Sequence, residues 1–330
     1  MGSRLRIATF NLENLDDRPD ADPPLDTRIA VLRPQLERLD ADVLCLQEVN
    51  GQQPVGGGPR QLRALDSLLA ETPYAGFHRV ASTNPAGPQR GVADKHNLVI
   101  LSRHPFSDWH EIRHDLVPAP SYRRMTAEPL AETDEAVGWE RPVLTATVEL
   151  PGGQRLHILN LHLRAPLAAH IKGQKEDAFA WKTVSGWAEG FFLAAVKRIG
   201  QAFEARLAVE RIFDADPNAW ICVCGDCNAE EREMPLRVLR ADVGDTGNAR
   251  LATRSLISLE QEIPPDRRYS VLHAGYKAML DHLLASRALL THLRGVEIHN
   301  EALGDELIGY ASAHKSPESY HAPLVAEFAV

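Results

Sequence analysis

A chain of 330 residues is long for one domain but within reach of α/β and two-sheet folds, and 44% hydrophobic with 25% charged residues is an ordinary globular composition. The net charge of −9 lowers the expectation of tight, sequence-indifferent binding to long nucleic acids, which calls for a basic face. No apolar run approaches the ~20 residues that span a bilayer. The start, Met1-Gly2-Ser3-Arg4-Leu5-Arg6-Ile7, has no apolar core of secretory length, and Arg6 stands where a myristoylation signal carries Ser or Thr, so a cytoplasmic protein is expected.

In chain order, residues 5–10 alternate as a strand that ends in Asn11-Leu12-Glu13-Asn14. A polar, Pro-rich loop covers 16–26. Ile29, Leu32, Leu36 and Leu39 have helical spacing, and Pro34 among them predicts a kinked or late-starting helix. Val43-Leu44-Cys45-Leu46 reads as a buried strand leading into Gln47-Glu48-Val49. Residues 51–59 read as a mobile Gly/Pro-rich loop. Leu62, Leu65 and Leu69 suggest a helix, and residues 97–101 a strand. Residues 106–140 are polar with scattered prolines and read as a long surface excursion.

Residues 142–150 and 156–161 form a predicted hairpin around Pro151-Gly152-Gly153. Residues 168–190, with Lys172, Lys175, Lys182, Trp181 and Trp187, read as an insertion. Phe192, Val196, Ile199, Phe203 and Leu207 mark the apolar stripe of the helix that follows. Further strands are expected at 269–272, 278–285 and 324–330. No internal repeat is visible, and the pattern alone gives mixed α and β.

The most informative stretch is Trp220-Ile221-Cys222-Val223-Cys224-Gly225-Asp226-Cys227-Asn228. Its apolar and β-branched start predicts a strand buried on both faces, with Gly225 ending it in a tight turn. Asp226 and Asn228 lie two apart, so extended geometry would aim them the same way. A carboxylate and an amide oxygen aimed together suit Mg²⁺ or Ca²⁺. Taken alone, Gly-Asp-Cys-Asn is an ordinary turn sequence. Three of the four cysteines sit on or beside this strand, too close for pairing with each other, and read as small apolar side chains.

Other stretches join it. Gly225-Asp226-Cys227-Asn228 resembles the Gly-Asp-x-Asn motif of the endonuclease/exonuclease/phosphatase superfamily, and the resemblance runs from about Arg6 to Phe328. Residues 42–47 resemble the family strand before its metal-binding Glu, here Glu48. Asn11 resembles the first-motif Asn, and Arg141 matches an Arg that contacts phosphate. His162, in Leu161-His162-Leu163-Arg164-Ala165-Pro166, resembles the His motif of the deoxyribonuclease branch. His321 resembles the His of the C-terminal Ser-Asp-His motif, and Asp281 the Asp that hydrogen-bonds it. One departure stands out: Tyr320 occupies the place of the motif's Asp.

The resemblance implies an α+β, four-layer α/β/β/α sandwich over residues 4–330, with a helical insertion at about 165–215. It implies an Mg²⁺-dependent hydrolase of phosphodiester bonds, with Mn²⁺ a substitute. Glu48 would bind the cation, with Asn11 and Asp226 in reach. Asp226 and Asn228 would position water and phosphate, and Asp226 or His321, held by Asp281, would serve as base or charge stabiliser. Asn11, His162 and Arg141 would contact phosphate. A neutral phenol at Tyr320 is a poor Mg²⁺ partner, so one essential cation is expected. The substrate would be nucleic acid, with Arg123, Arg124 and the lysines near Lys172 following a strand, or a small phosphorylated molecule or lipid headgroup selected by the insertion as a lid. A binding protein that kept the fold and lost catalysis is the third reading, and no protein partner is inferable.

Overall fold

The computed structural model describes residues 4–177, 180–312 and 315–330. The reading of residues 1–3, and two positions of the expected insertion, 178 and 179, lie outside them. The first half of the chain forms β1 (Arg4–Leu15), α1 (Leu25–Leu39), β2 (Val43–Val49), α2 (Arg63–Leu69), β3 (His78–Ala81), β4 (Asn97–Ser102), β5 (Phe106–Ile112), β6 (Ser121–Tyr122), β7 (Glu135–Ala136), β8 (Val143–Glu149) and β9 (Arg155–His162). The second half forms α3 (Val184–Ala215), β10 (Trp220–Asp226), α4 (Met234–Arg240), α5 (Val243–Thr246), β11 (Leu256–Ser258), β12 (Val271–His273), β13 (Tyr276–Ala278), β14 (Asp281–Ser286), α6 (Arg287–Leu290), β15 (Leu293–Ile298), α7 (Glu306–Ala311) and β16 (Leu324–Ala329).

Two six-stranded sheets result, ordered β15-β16-β1-β2-β4-β3 and β11-β14-β10-β9-β8-β5. The alternation of side chains along each strand sets the layers. In β1, Leu5 and Ile7 enter the core between the sheets, whereas Ala8 and Phe10 face α1 and α2. In β10, Cys222 and Cys224 point between the sheets, and Ile221 and Val223 face α3 and α4. Central strands are thus apolar on both faces, which is why they read as continuous apolar runs. All four cysteines are free and buried. The expected α/β/β/α sandwich is the observed architecture.

Several local expectations are corrected. α1 starts at Leu25 and continues through Pro34, which lies on the exposed side of the helix. The excursion begins with a true edge strand, β5, paired with β8; its exposed residues Ser107, Asp108 and His110 are polar, as suits an edge, and Trp109 stands exposed among them. β10 does not turn at Gly225 but continues to Asp226. In α3 the predicted stripe is rotated away: Phe192 and Phe203 are 49% and 45% exposed, and the buried face carries Ala202, Ala205, Val209 and Phe213. Small residues let this helix approach the sheet closely.

The expected helical insertion divides in two. Residues 165–177 and 180–183 are not helical, and Ala169 and Ile171 pack with Ala127 and Val137 of the excursion and with Leu193 of α3. The C-terminal half of α3 is the outer layer of the second sheet.

Candidate active site

Register brings the second sheet's polar ends together. Asp226 pairs with His162 of parallel β9 and with Asp281 of antiparallel β14, so three functional side chains sit on adjacent strands at one edge. Gly225 is required there. Its φ is +128°, and an added Cβ would lie 2.0 Å from the Leu161 carbonyl oxygen. From the first sheet, β1 supplies Asn11 and β2 supplies Glu48. The segment before β16 supplies His321, pinned by Ser319, whose Oγ donates to the Asn11 carbonyl at 2.7 Å and accepts the His321 N–H at 3.1 Å.

All eight predicted residues converge. Asn11 Nδ2 lies 3.2 Å from Glu48 Oε1 and 3.0 Å from Asp226 Oδ2, bridging the two carboxylates and the two sheets. Its Oδ1 accepts the Glu13 N–H at 2.8 Å, so it is the amide nitrogen of Asn11 that faces the carboxylates and not the oxygen expected of a metal ligand. His162 Nε2 is 3.3 Å from Asp226 Oδ2 and 3.6 Å from Glu48 Oε1. Asn228 meets Asp226 through a turn (φ +47°) and not through extended geometry. Its N–H and Nδ2 donate to the two Asp226 oxygens at 2.8 and 3.0 Å. His321 Nδ1 lies 2.7 Å from Asp281 Oδ2. Arg141 donates to the Leu163 carbonyl and to His96, with its charge facing Glu48 and Asp226.

The electrostatics separate the roles. Burial, with Asp281 and Glu48 nearby, pushes the Asp226 carboxyl up to about 7, against the pull of His321 and its hydrogen bonds. Burial also works against a charged His321, but Asp281 and Asp226 outweigh it and hold the imidazolium well above its ordinary range. Burial, then Arg141, His96 and His321, push His162 well below the ordinary histidine value, so it is neutral. Its Nδ1 has no partner among the described residues.

Glu48, His162 and Asp226 offer ligand atoms within 4.8 Å of one another, as do Asp226, Asp281 and His321. This oxygen-rich set has more buried acceptors than internal cations, and a hard divalent ion fits it. Tyr320 supplies no carboxylate. Its ring is buried edge-on to Tyr310, and its N–H donates to Glu13.

Sequence reading missed His96 and Glu13. His96 precedes β4 and touches Arg141, Asn14 and the edge of the Glu48 carboxylate. Its only sequence signal is a polar residue at the mouth of a buried strand. Glu13, two residues after Asn11, accepts from the Tyr310 hydroxyl and the Tyr320 N–H, and burial raises its carboxyl above the usual range.

The profile of the endonuclease/exonuclease/phosphatase family matches residues 8–314. No significant match is found among curated proteins. Among solved structures, truncated TDP2 from Caenorhabditis elegans is 16% identical, with 99% of this chain and 98% of that one covered at a TM-score of 0.56. The 3′ phosphatase NExo from Neisseria, bound to a product DNA hairpin, is 17% identical, with 98% and 99% covered at 0.53. An AP endonuclease from Archaeoglobus fulgidus is 15% identical, with 99% and 100% covered at 0.50. At such identities the likeness shows the fold alone.

Proposed function

The chain belongs to the endonuclease/exonuclease/phosphatase family, and from that premise we propose that it is a divalent-metal-dependent hydrolase of phosphodiester bonds, nuclease-like in its chemistry. The observation that carries this reading is the meeting of Glu48, Asp226 and His162 around the Asn11 amide, beside the Asp281–His321 pair. Mg²⁺, with Mn²⁺ as substitute, would be held by Glu48 with Asp226 at its rim, and when bound it would supply positive charge to a phosphate.

The remaining chemistry belongs to the chain. Asp226 orients a water and takes its proton, as a carboxyl raised to about 7 is suited to do. Asn228 fixes that carboxylate by two hydrogen bonds. His321, cationic and held by Asp281, stabilises the charge that builds on phosphorus-bound oxygens. Arg141 and neutral His162 bind phosphate and assist the leaving group. Asn11 orients both carboxylates with its two amide N–H groups rather than ligating through oxygen. Tyr320, buried and without a carboxylate, supports a single essential cation. A protein that only binds would not need this complete set.

A second reading, a small phosphorylated molecule or lipid headgroup as substrate, has one observation in its favour. The basic residues expected to follow a strand are matched by acids: Arg123 by Asp134, Arg124 by Glu135 and Lys182 by Glu128. No helix among the described residues is long and apolar enough to cross a membrane, and a cytoplasmic location is part of the proposal.

Supercoiled plasmid, an oligonucleotide and bis-p-nitrophenyl phosphate, each with Mg²⁺, Mn²⁺ or chelator, test the proposal. Metal-dependent cleavage of a diester is expected, with turnover reduced about 10²–10⁴-fold in His321→Ala while the fold is kept. Cleavage of the small diester alone would favour the second reading, and inertness toward all three would defeat the hydrolase.

A further inference from the structure

Three residues at the rim of the site have left-handed backbones that non-glycine residues rarely adopt: Asn14 (φ 53°), Glu48 (φ 57°) and His96 (φ 58°). Such conformations persist where the surroundings over-determine them, and they gather at functional sites. These three are joined to one another. The Asn14 N–H donates to Glu48 Oε2 at 3.0 Å, and Asn14 Oδ1 lies 3.0 Å from His96 Nε2. On the far side of the ring, His96 Nδ1 lies 2.9 Å from Arg141 Nη2.

A guanidinium has donors only, so Nδ1 must accept from Arg141 and the ring proton sits on Nε2. That proton is donated to Asn14. The tautomer therefore follows from the partners. The loop is pinned as well: the His96 N–H donates to Asn50 Oδ1 at 3.0 Å, and its ring stands 5.8 Å from that of His162. Among the described residues, His96 is the only partner of Arg141 Nη2, and Nη1 reaches only the Leu163 carbonyl.

We propose that His96 is a positioning residue for the hydrolytic site. It joins the phosphate-binding guanidinium to the cation-binding carboxylate through one directional relay, Arg141 to His96 to Asn14 to Glu48. The relay sets the spacing between the positive group that receives phosphate and the negative group that receives the metal. This inference rests on the roles given above to Arg141 and Glu48. Outer partners of this kind tune metal affinity and activity by roughly 10- to 100-fold.

Calorimetric titration with Mn²⁺ and steady-state hydrolysis of bis-p-nitrophenyl phosphate test it on His96→Ala, His96→Gln and His96→Lys. The alanine variant is expected to bind Mn²⁺ roughly tenfold more weakly and to show a roughly tenfold higher KM, with its thermal midpoint kept. Glutamine, which can accept and donate, restores most of both; lysine, a donor facing Arg141, does not. Residue 96 acting only as a loop filler would make glutamine and lysine equivalent, and that result overturns the relay, as does an alanine variant with wild-type Mn²⁺ affinity and KM. A wild-type protein that binds no Mn²⁺ would bring down the proposed function and the relay together. One that binds and cleaves while its variants are unchanged removes the relay alone.

Discussion

The helices on the two outer faces do different work. α1 covers the first sheet with Leu32, Leu36 and Leu39, all fully buried, and buries a single polar side chain, Arg28, near its start, which donates to the Leu12, Glu13 and Pro317 carbonyls. α3 covers the second sheet with alanines, and among them it buries Arg198, Gln201, Glu204 and Arg206. The first three reach loops, and Arg206 donates to the Leu239 and Arg254 carbonyls. Arg198 donates to the Asn228 carbonyl and to Glu233, Gln201 donates to the Arg141 carbonyl, and Glu204 accepts from the N–H groups of His114 and Leu116 and from Trp139 Nε1. α1 grips active-site backbone by one arginine at its start, its other buried residues being apolar; α3 does so by several polar side chains along its length. Buried polar side chains are costly unless fully paired, and here they stand where Asn228 and Arg141 must be held still.

The largest effect on this contrast is expected from Leu36→Ala. It removes a fully buried side chain and is expected to destabilise by about 2–5 kcal/mol, with turnover of the folded fraction unchanged, as read by denaturant unfolding beside kcat. A large fall in kcat at full folding would extend the role of α1 in the site beyond Arg28. Next comes Arg198→Met, which keeps the stem and removes the donors. Loss of the bonds to Asn228 and Glu233 is expected to destabilise by about 1–3 kcal/mol and to lower kcat several-fold; a stability loss with no kinetic change would reduce α3 to packing.

The smallest effect is one of pH and concerns the pair beneath the second sheet's edge. His282 Nδ1 lies 2.6 Å from Glu260 Oε1, and Nε2 lies 2.8 Å from the Ala229 carbonyl, so both nitrogens face acceptors and the ring is an imidazolium. Burial opposes that charge, but Glu260 outweighs it and raises the pKa above the ordinary value. A raised pKa gives stability that is complete below the unfolded value, near about 6.5, and is lost as pH climbs through the folded value. The stability gap between wild type and His282→Gln should therefore be widest at acid pH and narrow as pH rises. A gap flat in pH from 5 to 9 would contradict the imidazolium.

Much of the site was legible because its residues end buried strands, and a polar residue where an apolar run stops has few structural reasons to be there. Asp226 was read in this way, whereas Glu48 and His162 were assigned from their resemblance to family motifs. His96 was not, because its meaning lies in Arg141, 45 residues on, and nothing local distinguishes it from a loop histidine. The stripe of α3 misled for a related reason: large apolar residues at helical spacing suggest a core face, yet the sheet accepts alanine at close approach and leaves Phe192 and Phe203 outside.

By itself the sequence determined where the main buried strands lie and which face of α1 is apolar, while the layered sandwich was implied by the family resemblance. Apolar runs in strands and turn-to-turn spacing in α1 are local signals, legible without the partners they pack against. Only the tertiary structure decided the chemistry. Asn11 meets Asp226 across 215 residues of chain, and His162, Asp226 and Asp281 line up only because one register joins a parallel and an antiparallel neighbour. Register is a property of paired strands, and the proton positions on His96 and His282 are set by partners that pairing brings near; neither is written in any one segment.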